Sequence, residues 1–170
     1  VMGATLAVDE VNAAGGLNGR PFELLAEDSV NPQTASTKAQ RMVERDGVFA
    51  LVGEISSASG LAIAQVAARA NKLFLQTGCN SDELRGKNCS RTMFHLEANN
   101  TMYVRTVGRS LLREGMVKGK RWMAFTADYA FGHSLEEEVS NVVTEMGGAG
   151  VGTVRHPLNS NDLSSFTLQA

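Results

Sequence analysis

The chain has 170 residues, of which 43% are apolar and 20% charged, a composition that supports a buried core in one domain or two small lobes. A formal net charge of −2, without long like-charge runs, offers no basic face to nucleic acid or to an anionic membrane. No stretch approaches the roughly 20 consecutive apolar residues that cross a bilayer, and the N-terminus has no basic segment leading into an apolar run of the signal-peptide kind.

In chain order, Val1, Ala4, Val8 and Val11 recur at helical spacing, and Gly15-Gly16 ends that helix. A turn through Asn18-Gly19 leads to a predicted strand over 22–26. Pro32 suits the first turn of a second helix, whose inner face reads Ala35, Ala39, Met42 and Val43 and which Asp46-Gly47 closes. Residues 48–52 form a continuous apolar run, predicting a strand buried on both faces; an Ala-rich helix over 61–70 and a strand over 73–75 follow. Beyond the Gly-, Asn- and Asp-containing loop 78–88, the pattern predicts a strand over 93–96, a helix over 101–113 and a strand over 121–126. Leu135, Val139, Val142 and Met146 share one face of a helix that Gly147-Gly148 ends, and a strand over 151–154 comes next. Residues 162–170 open one more helix. The helical beginning and this abrupt end read as a piece of a longer protein, with a signal peptide expected upstream.

Strand and helix alternate throughout, which predicts the α/β class, with parallel sheets flanked by helices. Right-handed crossovers then put all strand C-terminal ends on one side, where ligands bind in such folds.

Candidate functional residues cluster at those ends. From spacing alone, Ser56, Ser57 and Ser59 read first as helix caps, and second as a carboxylate site, because a helix N-terminus presents unpaired N–H groups and partial positive charge. Gln76-Thr77-Gly78-Cys79-Asn80-Ser81 lies at the next strand end, where a generic turn explains Gly78, Asn80 and Asp82 as well as a ligand does. Cys79 and Cys89, the only cysteines, sit in one loop that closes easily. A disulfide is the favoured reading over two buried free thiols, since no CxxC or adjacent histidine suggests zinc or thioredoxin-like chemistry. Tyr129 and Phe131 flank a third loop, where a ring can stack over a ligand or pack the core. Glu54 and His133 read as surface groups, Glu136, Glu137 and Glu138 as the solvated side of a helix, and Arg155-His156-Pro157 has no evident partner. The chain carries no nucleophile elbow, Walker loop or Rossmann glycine fingerprint, so nothing in it points to an enzyme.

Three segments together resemble the type I periplasmic binding proteins, the family that includes the leucine/isoleucine/valine-binding proteins. Val11-Asn12-Ala13-Ala14-Gly15-Gly16-Leu17-Asn18-Gly19-Arg20-Pro21, followed by Asp28 and Pro32, is similar to that family's first helix, glycine turn, strand and second helix start. Val52-Gly53-Glu54-Ile55-Ser56-Ser57-Ala58-Ser59 resembles its carboxylate-gripping loop, and Asp128-Tyr129-Ala130-Phe131-Gly132 the loop by which its second lobe closes. The resemblance implies a two-lobed clamp, with residues 1–97 forming a first lobe that lacks its first strand and 98–170 the first part of a second lobe. It assigns Ser57 to the ligand carboxylate, Cys79, Asn80 and Ser81 to the orienting loop, and Tyr129 and Phe131 to closure; Phe131 stands where the family has a tyrosine, which favours a more apolar solute. It further implies an extracytoplasmic receptor that delivers an amino acid, amide or aliphatic or aromatic carboxylate to the permease subunits of an ABC transporter, with no metal or organic cofactor. A sensing or regulatory domain of the same fold is the alternative.

Overall fold

The computed structural model describes residues 1–169. Helix α1 (Met2–Ala13) leads through an extended stretch to α2 (Pro32–Glu44), β1 (Ala50–Gly53), α3 (Ser57–Arg69) and β2 (Leu73–Gln76). A single 3-10 turn (Asp82–Leu84) precedes β3 (Met93–His95), after which come α4 (Asn100–Arg113), β4 (Arg121–Ala127), α5 (Ala130–Glu145), β5 (Ala149–His156) and the short α6 (Ser164–Thr167). The strands form two parallel sheets, one ordered β1-β2-β3 and the other β4-β5, so the α/β expectation holds.

Local chemistry accounts for the helix boundaries. Asn31 caps α2 by accepting the Thr34 N–H at 2.8 Å, with Pro32 supplying a preset φ at the first position. Ala35, Ala39 and Val43 then form its buried stripe, and their small size lets α2 lie close against α3. Helix α3 starts at Ser57, four residues ahead of the sequence expectation, because Ser56 takes the cap position and its hydroxyl faces the Ser59 N–H at 3.5 Å. In the parallel register Leu51 pairs with Phe74 and Phe74 with Met93, placing one apolar row under α3. Leu51, Phe74, Ala64, Ala67 and Leu84 form the centre of that core.

The second sheet is built around α5. Helices α4 and α5 approach so closely at Gly108 that a Cβ there would lie 2.6 Å from Val142 Cγ1. Arg105 reaches from α4 to both carboxylate oxygens of Glu145 at 3.0 and 3.1 Å. Between α4, α5 and β4 lies an entirely apolar cavity of about 250 Å³, lined by Val107, Leu111, Trp122, Leu135 and Val139 among others.

Two strand expectations are corrected. Residues 22–26 pair with no strand; a strand needs a backbone partner, and here the side-chain amide of Asn12 on α1 takes up Phe22 instead, receiving its N–H at 2.7 Å and donating to its carbonyl at 2.9 Å. Residues 48–52 are not buried on both faces. Strand β1 is at the sheet edge and covered on one side, so Leu51 is buried while Val52 is 62% exposed. Helix α1 buries none of its residues. Among the described residues no helix is long and apolar enough to cross a membrane.

Candidate functional site

Parallel strands bring their C-terminal ends together within each sheet; residues 54–56 follow β1 and 77–81 follow β2 in the first, and 128–129 follow β4 in the second. The first two are stitched to each other. The Thr77 N–H donates to the Gly53 carbonyl at 3.2 Å, and the Ser81 N–H to Ser57 Oγ at 3.2 Å. Cys79 Sγ lies 3.4 and 3.3 Å from the carbonyls of Glu54 and Ser56.

Glu54 has a φ of +95°, a left-handed conformation that turns its side chain back onto its own loop. Its Oε1 accepts the N–H groups of Ile55 and Ser56, each at 2.9 Å. A carboxylate therefore already sits on two amides just ahead of α3, the end of a helix that attracts negative charge. Sequence reading took Glu54 for a surface group and missed this role; a glutamate directly after a strand-terminal glycine is the signal that was present.

Each predicted site residue has a definite place. Ser57 has 0% of its surface exposed, and its hydroxyl receives the Ser81 amide; Ser81 is equally buried and caps the 3-10 turn through the Glu83 N–H at 3.4 Å. Asn80 turns towards the chain between the sheets, donating to the Ala98 carbonyl at 2.6 Å. Tyr129 and Phe131 come together, ring centroids 5.9 Å apart and tilted by 39°. Burial pushes the Tyr129 phenol pKa up, with a smaller push from nearby Cys79 on the loop after β2. Tyr129 thus lies on the side of the loop after β2.

The expected Cys79–Cys89 disulfide is corrected: both are free cysteines. Cys79 is fully buried against Gly60 of α3, where a Cβ would fall 2.4 Å from its Sγ, whereas Cys89 lies exposed beyond the 3-10 turn. Pairing them would mean pulling Cys79 out of the core. Burial pushes the Cys79 thiol up to about 12, so it stays protonated and unreactive. Two surface expectations also change. Glu136 is not solvated; it receives Arg155 Nε at 2.9 Å and Thr153 Oγ1 at 3.0 Å, which gives Arg155 the partner that sequence could not supply. His133 is exposed as expected, with Nε2 2.6 Å from Asp128 Oδ1.

Sequence reading also missed a buried polar layer beneath these loops. Gln76 and His95 are register partners at the C-terminal edge of the first sheet. Both amide atoms of Gln76, together with His95 Nε2, are buried without a protein partner. Arg85 Nε donates to His95 Nδ1 at 3.0 Å, so the imidazole proton sits on Nε2; burial, followed by the Arg85 charge, holds the His95 pKa below the usual histidine range. Asn99 caps α4 through the Met102 N–H at 3.1 Å, and its fully buried neighbour Asn100 donates to the Phe131 carbonyl at 3.2 Å. Among the described residues no group of three or more His, Cys, Asp or Glu side chains is placed to hold a metal ion.

The arrangement presents paired loops, an occupied anion position and an aromatic pair, which suits non-covalent capture of a small solute. The sequence profile of the periplasmic binding protein family matches residues 1–170. The fold is similar to the crystal structure of a periplasmic binding protein from Burkholderia mallei, with a TM-score of 0.89 and 36% identity over 99% of this chain and 45% of that one. It is also similar to a branched chain amino acid ABC transporter periplasmic ligand-binding protein from Burkholderia xenovorans LB400, with a TM-score of 0.74 and 30% identity over 98% of this chain and 43% of that one. A Leu/Ile/Val-binding protein homolog of Brucella abortus is 40% identical over 85 residues, which are 50% of this chain and 21% of that protein. The chain spans less than half the length of each. With a matching profile across all its residues and parallel sheets flanked by helices in the type I arrangement, the chain belongs to the periplasmic binding protein family.

Proposed function

We propose that the protein carrying this chain is an extracytoplasmic solute receptor of an ABC transporter, that it binds an amino acid or small carboxylate, and that it hands the solute to the permease subunits without making or breaking a bond. The observation that carries this reading is that the loops after β1 and β2 are stitched together and that Asn100 ties the Asn80 carbonyl to the Phe131 carbonyl beside the Tyr129–Phe131 pair. Residues 1–97 form one lobe in this reading and those from 98 onwards begin the other. A solute touching both lobes stabilises their approach, because only the closed form contacts it from two sides. The relatives named for leucine, isoleucine and valine support an apolar amino acid as the first solute to test.

Ser57 and the amides at the start of α3 take the solute carboxylate in this reading. The Ser81 contact uses a lone pair of Ser57 Oγ and leaves its proton free to donate. Cys79 contributes backbone only, since its thiol faces the core. Asn80 orients the loop, and Tyr129 and Phe131 cover the solute's apolar part.

A thermal-shift screen of the full-length protein with L-leucine, L-phenylalanine, benzoate and butyrate tests the proposal. A solute that binds only the folded state raises Tm by mass action. The expected result is stabilisation by one chemical class, with about tenfold or greater loss of affinity in Ser57→Ala, the scale of one hydrogen bond to a charged group. No stabilisation by any of the four would overturn the receptor reading for small carboxylates.

A further inference from the structure

Asp82 is the most heavily engaged polar side chain between the two sheets. It starts the 3-10 turn after the β2 loop, immediately following Ser81. Its Oδ2 accepts the Thr101 N–H in the first turn of α4 at 3.1 Å and Ser134 Oγ on α5 at 3.2 Å. Its Oδ1 accepts from Asn99 Nδ2. The Asp82 N–H in turn donates to Ser134 Oγ at 3.0 Å, so Asp82 and Ser134 are doubly bonded across 52 positions of sequence.

The surroundings make this more than a surface contact. Ser134 is 7% exposed and Asn100 1% exposed. Asn100 forms a second bridge beside the first: its N–H donates to the Asn80 carbonyl at 2.8 Å, and its Nδ2 to the Phe131 carbonyl at 3.2 Å. The two bridges tie Asn80 and Ser81 on one side to the first turns of α5, which carry Phe131, on the other. Gly132 lies between them, so tightly placed that a Cβ would fall 1.9 Å from the Ala127 carbonyl oxygen. The α5 start therefore cannot slide along β4, and the bridges fix where it stands relative to the loop after β2.

We propose that Asp82 is a positioning residue for the solute site: with Ser134, and beside Asn100, it sets the separation between the Asn80–Ser81 loop and the Phe131 turn. It touches no solute itself. A carboxylate suits the task because it can receive a hydroxyl and an amide from two elements at once, and charge-assisted bonds outlast neutral ones. The consequence for solute binding rests on the receptor reading above; the mechanical role does not.

The test uses the full-length protein and compares wild type with Asp82→Asn, Ser134→Ala and Ser134→Thr, the last retaining the hydroxyl. Spin labels on native Cys89, which is exposed, and on Asn141→Cys, exposed on α5, report the distance between the two halves without any solute. Buried Cys79 stays unlabelled, and exposed cysteines elsewhere in the full chain are changed to serine. The expected result is a distance distribution that broadens towards longer values in Asp82→Asn and Ser134→Ala and stays near wild type in Ser134→Thr. Release of L-leucine or benzoate, measured by stopped flow, is expected to quicken about tenfold in the first two variants, the scale of one charge-assisted hydrogen bond. Unchanged distributions in folded Asp82→Asn and Ser134→Ala, with Tm as the check on folding, overturn the proposal whatever the protein binds. Failure of the wild type to bind either solute counts against the receptor reading alone, because the distance measurement needs no solute.

Discussion

The two sheets of this chain are held in different ways. Around β1-β2-β3 the apolar side chains of α2, α3 and the strands form one continuous core, with Phe74 1% exposed at its centre. Around β4-β5 the helices meet each other as much as the sheet, β5 shows most of its residues to solvent, and an apolar cavity stays open between α4, α5 and β4. Buried area holds the first region, while close backbone approach, as at Gly108 and Gly132, contributes a larger share in the second. The lesson is that one α/β pattern can rest on dispersion and solvent exclusion at one end and on close backbone approach at the other.

That contrast can be broken by substitution, with the largest effect expected in the first core. Phe74→Ala should cost about 3–5 kcal/mol, the range for truncating a buried aromatic ring. Hydrogen exchange should then accelerate across β1-β2-β3 while β4-β5 lags; equal acceleration in both sheets would show that they unfold as one unit. Next comes Gly132→Ala, where the new methyl meets the Ala127 carbonyl oxygen and Thr126 Oγ1. Overpacking against backbone should cost about 3 kcal/mol, read by denaturant melts, and the loss of protection should fall first on β4-β5.

Charge gives smaller effects. Glu136→Gln removes the carboxylate that receives Arg155 and should cost under about 1 kcal/mol near neutral pH, because the arginine end of the pair is half exposed and screened. The Glu136 pKa is lowered, first by its bond to Arg155. Its contribution is therefore complete above the unfolded value of about 4.3 and fades as pH falls through the lower folded value. Melts at pH 7 and pH 2.5 should show the gap between wild type and Glu136→Gln closing at the acid end; a gap that stays constant would rule out the ion pair as its source. Smallest is Arg105→Ala. Its pair with Glu145 is solvent-exposed and screened, so the same melts should barely move, and less still in high salt.

Much of the fold was legible because its signals are local. Asn31-Pro32 marks a helix start by chemistry contained in two residues, and Ala35, Ala39 and Val43 recur on one face. The order of strands and helices, and with it the convergence of loops 54–56 and 77–81, follows from the same alternation. What failed was non-local. Residues 22–26 have the composition of a strand, but pairing belongs to the partner as much as to the segment. The structure brings Ser57 and Ser81 together, yet no spacing rule says that one hydroxyl receives the other residue's amide 24 positions on. The favoured disulfide rested on loop closure and ignored side-chain direction, which sends Cys79 into the core. Asp82 and Ser134 carry no sequence signal for each other, because their contact exists only once two sheets are in place.

The carboxylate of Glu54, folded onto the Ile55 and Ser56 amides, makes the anion position a contested one. A group tethered so close competes as though present at millimolar concentration or above. Any incoming anion that needs those amides must therefore outbid a resident that never diffuses away. Chloride and other weakly bonding ions gain little from the exchange, whereas a carboxylate that also engages neighbouring groups can win it. In the proposed receptor, the loop filters incoming anions by bonding capacity before any side-chain pocket judges their shape.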